Sequence, residues 1–482
     1  MYSRVVLSVL SLTLLTIPVT QAAETILGVY IFSRHGDRTD KSHAPANLTD
    51  LGYHQVFSSG QFYRDQYVSS TASSKILGIQ SQIVKNSQLL VQAPDDLVIM
   101  NSAQGFLQGL YPPVGASISN QKLNDGNTIQ PPMNGYQLIP LHMVTTGTGS
   151  EDNPWLQGAF GCSKATVSSN AYYSSKEYLD LKAQTDSLYQ SLTPFINGTF
   201  SDAQTSYKNA YTIWDLLTVA SIHNASFTPP PPETQSQLFS LASTQQFALG
   251  YNASSPVRAI AGATLASQVL LALNTTITAP THSPRLNIQF GAYSSILSFF
   301  GLAQLPVVSP AFAQIPDYAS TMTFELFTTA PTTPFPATSD ISVRFLWHNG
   351  TITSDSKPSI IPLFGRKETS LPWTTFIDEM RKFAVGTQEK WCDACGNSTG
   401  VCVRPSTAST PSDATTSSQI NSPQHTSHRM GKVVAGVVGA MVTLAVILGL
   451  EALILLVAGL RIVKRHRAGN HDSQPSTEIL KP

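Results

Sequence analysis

The residues most able to do chemistry lie within six consecutive positions. Ser33-Arg34-His35-Gly36-Asp37-Arg38 sets one imidazole between two guanidiniums, with a carboxylate beside it. Arginine forks bind oxyanions through paired N–H bonds. An imidazole held between them can attack phosphorus or carry a proton. Gly36 lets the backbone approach an anion closely. The segment follows Ile26-Leu-Gly-Val-Tyr-Ile-Phe32, an apolar, β-branched run of strand length. A strand that stops in a polar loop puts that loop at the carboxyl edge of a sheet, where open α/β folds bind ligands. Composition alone leaves a solvated polar loop as the other reading.

More motifs follow in order. They are Leu48-Thr49 with Gly52 and Gln55, then Gly60, Arg64 and Tyr67; Ser102-Ala103 through Gly109-Leu110-Tyr111-Pro112-Pro113; Ser221-Ile222-His223-Asn224; and Phe324-Glu325-Leu326-Phe327. With Arg34-His35-Gly36-Asp37-Arg38 set against the signature R-H-G-x-R-x-P, the chain resembles the histidine acid phosphatases, the acid phosphatase and phytase branch of the histidine phosphatase superfamily. The resemblance runs from about residue 26 to about 390. It implies a phosphoglycerate-mutase-like α/β fold, a mostly parallel sheet flanked by helices, with a largely helical cap inserted at about 114–254. It implies hydrolysis of phosphomonoesters through a phosphohistidine at His35, with Arg34 and Arg38 clamping the phosphoryl oxygens. No cofactor is implied, and no metal constellation is visible.

Three positions depart from that pattern. The family's third phosphate-binding arginine falls on Val98, and no arginine lies between Arg64 and Arg258. The family's His-Asp pair, which holds the general acid, falls on Ala292-Tyr293, just after the expected strand Leu286-Asn-Ile-Gln-Phe290. Asp40 stands where the signature has proline. Losing a general acid typically costs about 10²–10⁴ in rate. Losing one donor to the transferring group costs about 10²–10³, and the two do not multiply. Asp37 is a candidate substitute donor, and Tyr293 a candidate donor or substrate contact. Two functions are therefore expected. One is a weak phosphomonoesterase. The other is an inactive pseudo-phosphatase, a cell-surface glycoprotein binding phosphate-bearing or other anionic ligands. His54, on the first helix, is expected to pack, with a place near the site as the alternative; His142, His223, His282 and His348 show no ligand spacing and are expected to be structural or to face solvent.

The elements that must position this chemistry can be read from composition. Of 482 residues, 42% are hydrophobic and 12% charged, with 29 Lys+Arg against 29 Asp+Glu. That is enough apolar material for a large core, and the lack of positive excess argues against a nucleic-acid partner. Residues 1–23 read as a secretory leader, with Arg4 before an apolar run. Residues 433–460 are apolar but for Glu451 and long enough to cross the lipid bilayer. Arg461, Lys464, Arg465 and Arg467 follow at once, which places the tail, 461–482, in the cytoplasm. The expectation is a single-pass type I protein of the cell surface or an endomembrane. Its ectodomain would be 24–404, on a Ser/Thr/Pro-rich stalk at 405–432. Sequons at Asn47, Asn197, Asn224, Asn252, Asn274, Asn349 and Asn397 are candidate glycosylation sites. Cys162, Cys392, Cys395 and Cys402 are disulfide candidates with three possible pairings. A zinc site at Cys392-x-x-Cys395 has no second ligand pair nearby. The oligomeric state is left open.

Overall fold

The run from Ile26 to Phe32 forms the middle of strand β1 (Thr25–Arg34), and its place in the sheet explains its composition. On one side it pairs in parallel with β4 (Leu286–Gly291), Val29 opposite Leu286 and Arg34 opposite Gly291. On the other it pairs antiparallel with β5 (Thr321–Thr328), Tyr30 opposite Phe324. A strand buried on both faces reads as near-continuous Val, Ile and Leu. The computed structural model describes residues 23–144 and 160–403. The expected leader (save Ala23), stalk, bilayer span and tail lie outside the described residues.

The other strands of this sheet are β2 (Leu89–Pro94), β3 (His142–Val144), β6 (Ile341–His348), β7 (Ser359–Ile360) and β8 (Leu371–Pro372). The sheet runs β8-β6-β5-β1-β4-β2-β3, with β7 added on β6. The α/β class is as expected, but the sheet is mixed rather than mostly parallel. The pairs β1–β4, β4–β2 and β2–β3 are parallel; β1–β5, β5–β6, β6–β7 and β6–β8 are antiparallel. Parallel neighbours need a crossover of about a dozen residues or more, and the intervals that separate β1, β2, β3 and β4 all exceed that.

Helices cover both faces. Leu27, Tyr30 and Phe32 pack with Leu265, Val269 and Leu273 of α6 (Ile260–Thr278), Phe299 and Phe300 of α7 (Tyr293–Leu302), and Phe376 and Met380 of α8 (Trp373–Arg381). Ile26, Val29 and Ile31 face Val56 and Tyr63 of α1 (Asp50–Tyr63), and Ile99, Phe106 and Leu110 of α2 (Leu97–Leu110). The apolar α6 is long enough to cross a bilayer, yet it lies mostly buried on this sheet as a core helix. In the interval expected for the cap, β3 returns to the sheet edge. Around it lie helices including α3 (Ser163–Asn170), α4 (Ala210–His223) and α5 (Pro232–Gly250). Cys162 pairs with Cys395, and Cys392 with Cys402, at the ends of α3 and of α9 (Gln388–Cys395). Asn47, Asn197, Asn224, Asn274 and Asn349 are exposed, while Asn252 and Asn397 are half-buried.

His348 ends β6 fully enclosed, sharing its Nδ1 with Gly350 O at 2.9 Å and its Nε2 with Ser356 Oγ at 3.0 Å. Burial lowers its pKa, against the pull of those bonds. The unfolded chain therefore binds a proton that the folded chain refuses, and stability falls as pH drops below about 6.5. His348→Gln is expected to lose less thermal stability than the wild type between pH 7 and pH 5, as read by melting temperature.

Candidate active site

The Arg34–Arg38 loop leaves the end of β1 and is held through its own backbone groups by neighbouring backbone and side chains. Arg34 N–H donates to Ser320 O at 2.9 Å, and Ala319 N–H donates to His35 O at 2.9 Å. Gly36 N–H donates to Ser102 Oγ of α2 at 3.1 Å, and Asp37 N–H to Gln55 Oε1 of α1 at 2.8 Å. Thr49 caps α1 by accepting from Gly52 N–H at 3.0 Å, and its hydroxyl donates to Asp37 Oδ2 at 2.5 Å. The loop and the first turn of α1 touch backbone to backbone. A Cβ on Gly52 would stand 2.1 Å from Asp37 O, and one on Gly36 2.2 Å from Gly52 O. Neither contact can relax by side-chain movement. Gly52→Ala is expected to cost about 3 kcal/mol or more, the overpacking range, and to weaken anion binding with it. Denaturant melts with and without tungstate measure both effects.

The four polar side chains of the loop are all but inaccessible, Arg34 at 2%, His35 at 1%, Asp37 at 0% and Arg38 at 1%. His35 Nδ1 lies 2.8 Å from Gly36 O. A carbonyl can only accept, so Nδ1 carries the hydrogen and the neutral ring has its lone pair on Nε2. Arg34 donates from Nη1 to Pro316 O and lies between two rings, 5.1 Å from Tyr293 and 4.5 Å from Tyr318. Arg38 shares the Tyr318 face at 5.8 Å. The two guanidiniums thus gather around one aromatic ring, an arrangement that orients them. Burial pushes the Tyr318 phenol up, against the opposing pull of Arg38 and Arg34.

Arg38 is also held by the cap. Its Nη1 and Nη2 donate to Asp215 at 3.1 and 2.8 Å, and Nη2 donates to Tyr211 OH at 3.0 Å. Burial works against its charge, but Tyr211, Tyr318 and Asp215 more than offset that and raise its pKa. The same helix, α4, ends at His223, whose Nε2 lies 2.6 Å from Asp37 Oδ2. His223 is therefore not the packing or surface residue that its spacing suggested; it meets the signature loop. Among the described residues, Arg34 Nε, Arg38 Nε and Asp37 Oδ1 are buried with no hydrogen-bond partner. Each such group costs about 1–3 kcal/mol unless something satisfies it.

Ala292 and Tyr293 stand where the resemblance put them, directly after β4 and beside Arg34. Tyr293 OH donates to Gln246 Oε1 of α5 at 2.8 Å. Its ring serves Arg34 and its hydroxyl serves the cap. Val98 is buried in the first turn of α2, its carbonyl accepting from Ser102 Oγ at 2.7 Å. Asp40 Oδ1 accepts from the N–H groups of Ser42 and His43, making by side chain the turn that a proline would pre-set. Sequence reasoning missed Tyr211, Asp215, Tyr318 and Gln246. One signal for Asp215 was available: an acid within the apolar helix Ala-Tyr-Thr-Ile-Trp-Asp-Leu-Leu has to find a cation.

The profile of the histidine phosphatase superfamily (branch 2) matches residues 41–348, beginning just after the loop. The lysosomal acid phosphatase of Xenopus laevis is 23% identical over 328 residues, 64% of this chain and 68% of that protein. The structure of Hafnia alvei phytase with tartrate superposes with a TM-score of 0.51 at 14% identity, covering 78% of this chain and 99% of the phytase. The phytase of Citrobacter braakii gives 0.51 at 14% identity, covering 77% and 99%. At that identity the structural likeness speaks for the fold. Taken with the profile match over more than half of the chain, it means that this chain belongs to the histidine phosphatase superfamily, branch 2.

Proposed function

We propose that the protein is a membrane-anchored phosphomonoesterase of the acid phosphatase type, working slowly through His35. The observation that carries this reading is the buried loop. It presents an imidazole with its lone pair on Nε2, between two arginines whose Nε–H donors have no partner among the described residues. A tetrahedral dianion supplies the acceptors those donors lack. Nε2 forms a bond to phosphorus as the bond to the ester oxygen breaks, and the leaving alkoxide takes a proton from solvent or from Asp37. Water then breaks the P–N bond, releasing inorganic phosphate and restoring the imidazole. Arg34 and Arg38 stabilise the charge on the equatorial oxygens. The absent strand-end acid is the reason to expect slow turnover, least so for esters whose leaving group needs no proton.

Sequence supports the setting: a leader, an apolar span at 433–460 and basic residues after it favour a type I topology with the site outside the cytoplasm. The similarity to a lysosomal enzyme agrees with entry into the secretory pathway. A similar structure, Hafnia alvei phytase with myo-inositol hexakis sulphate, agrees with an anionic ligand.

A second reading is a pseudo-phosphatase that binds anions without turnover. It is favoured by Val98, by Ala292-Tyr293 and by the engagement of Arg38 with Asp215. Hydrolysis of p-nitrophenyl phosphate by the wild type and by His35→Ala, from acid to neutral pH, separates the two. Turnover present in the wild type and lost in the variant supports the enzyme. Equal background in both, with tungstate still raising the melting temperature of the wild type, leaves the binding protein.

A further inference from the structure

The cap helix α4 places a carboxylate where the charge of a ligand would sit. Asp215 is 2% exposed. It accepts both terminal N–H bonds of Arg38 and the backbone N–H of Lys41 at 2.9 Å. Those are donors that two oxygens of a tetrahedral anion would take. Tyr211, one turn earlier on the same face, also accepts from Arg38 Nη2. The other arginine is in a different state. Arg34 meets the Pro316 carbonyl and two aromatic faces, and no salt bridge to it is seen among the described residues. One clamp of the loop is therefore ready and the other is already held by an internal anion.

We propose that Asp215 is a specificity-determining competitor for the anion site. A ligand gains the terminal N–H groups of Arg38, and not only its Nε–H, by displacing the carboxylate, so the site favours ligands that carry more charge than the one they displace. This rests on reading the loop as an anion site. A monoanion such as acetate, or a phosphodiester, exchanges one negative charge for another. A dianion such as tungstate or a phosphate monoester brings twice the charge to two arginines. The exchange also reduces apparent affinity. If the displaced form is a tenth or less of the unliganded protein, the dissociation constant is raised about tenfold or more.

The test is tungstate binding by the full-length protein, wild type against Asp215→Asn, with acetate run in parallel. The expected result is tungstate binding about tenfold or more tighter in the variant, and a narrower preference for tungstate over acetate. Binding by the wild type with no gain, or a loss, in the variant would overturn the proposal and leave the anion site standing. Absence of tungstate binding in both would sink the anion-site reading itself. Asp215→Asn leaves Arg38 buried without its counter-charge and could fail to fold. A structure of the wild type with tungstate then decides. It should show Arg38 bonded to tungstate with Asp215 moved away, and an intact Arg38–Asp215 pair beside bound tungstate would refute the proposal.

Discussion

Tyr293→Asp is expected to speed hydrolysis of an alkyl phosphate by about 10²–10⁴, the usual contribution of a positioned general acid. The gain on p-nitrophenyl phosphate should be far smaller, because that leaving group departs without a proton. Position 293 opens α7 directly after β4, within reach of Arg34. An aspartate there stands at a helix N-terminus, which stabilises the carboxylate left when the proton has passed to the leaving oxygen. The native tyrosine cannot take the role well. Its hydroxyl donates to Gln246, and a phenol holds its proton too tightly for acid solution. The substitution gives up a buried ring and one cap contact, at a cost of about 3 kcal/mol in stability. Adding His35→Ala should erase the gain entirely. Equal acceleration on both substrates, or none on either, would show that the strand-end acid is not what limits the reaction.

The second large effect concerns the bridges. Replacing Cys162 and Cys395 by alanine is expected to cost about 5 kcal/mol, against about 3 for Cys392 and Cys402, because the closed loops differ in length. The first spans 233 residues of separation and the second 10. For a domain of this size the larger loss lowers the melting temperature by about 6 °C. The long bridge joins α3, within the cap interval, to α9, so its removal frees two segments that share a small core with Trp391 and Ile260. Calorimetry on the two double variants gives the order. A greater loss from the short loop would mean that packing around Trp391, rather than chain entropy, sets the contribution of each bridge.

What was legible in the sequence was local. An apolar run ending in Arg-His-Gly-Asp-Arg specifies a buried strand and a polar loop within a dozen residues, and both stand as read. The strand at Leu286 and the odd Ala292-Tyr293 after it were legible only through the family resemblance, which says that a His-Asp pair belongs there. Contacts between distant segments were not. Asp215 meets Arg38 across 177 positions and His223 meets Asp37 across 186. No periodicity in α4 announces which of its polar residues turns toward the loop. The antiparallel half of the sheet escaped because an apolar strand reads alike in either direction. The cysteine pairing escaped because spacing carries no distance in space.

The place of β1 in the sheet has a consequence for the newly made chain. Its two partners, β4 and β5, are encoded some 250 residues or more downstream. At a synthesis rate of about 5–20 residues per second, the strand that carries the loop waits on the order of ten seconds to a minute with both edges unpaired. Until then its apolar faces and open backbone are available to any neighbour, including a second nascent chain. Burial of the Arg34–Arg38 loop therefore waits until about two thirds of the 482-residue chain has been made. A chain interrupted before residue 286 would release this strand with neither neighbour to pair it.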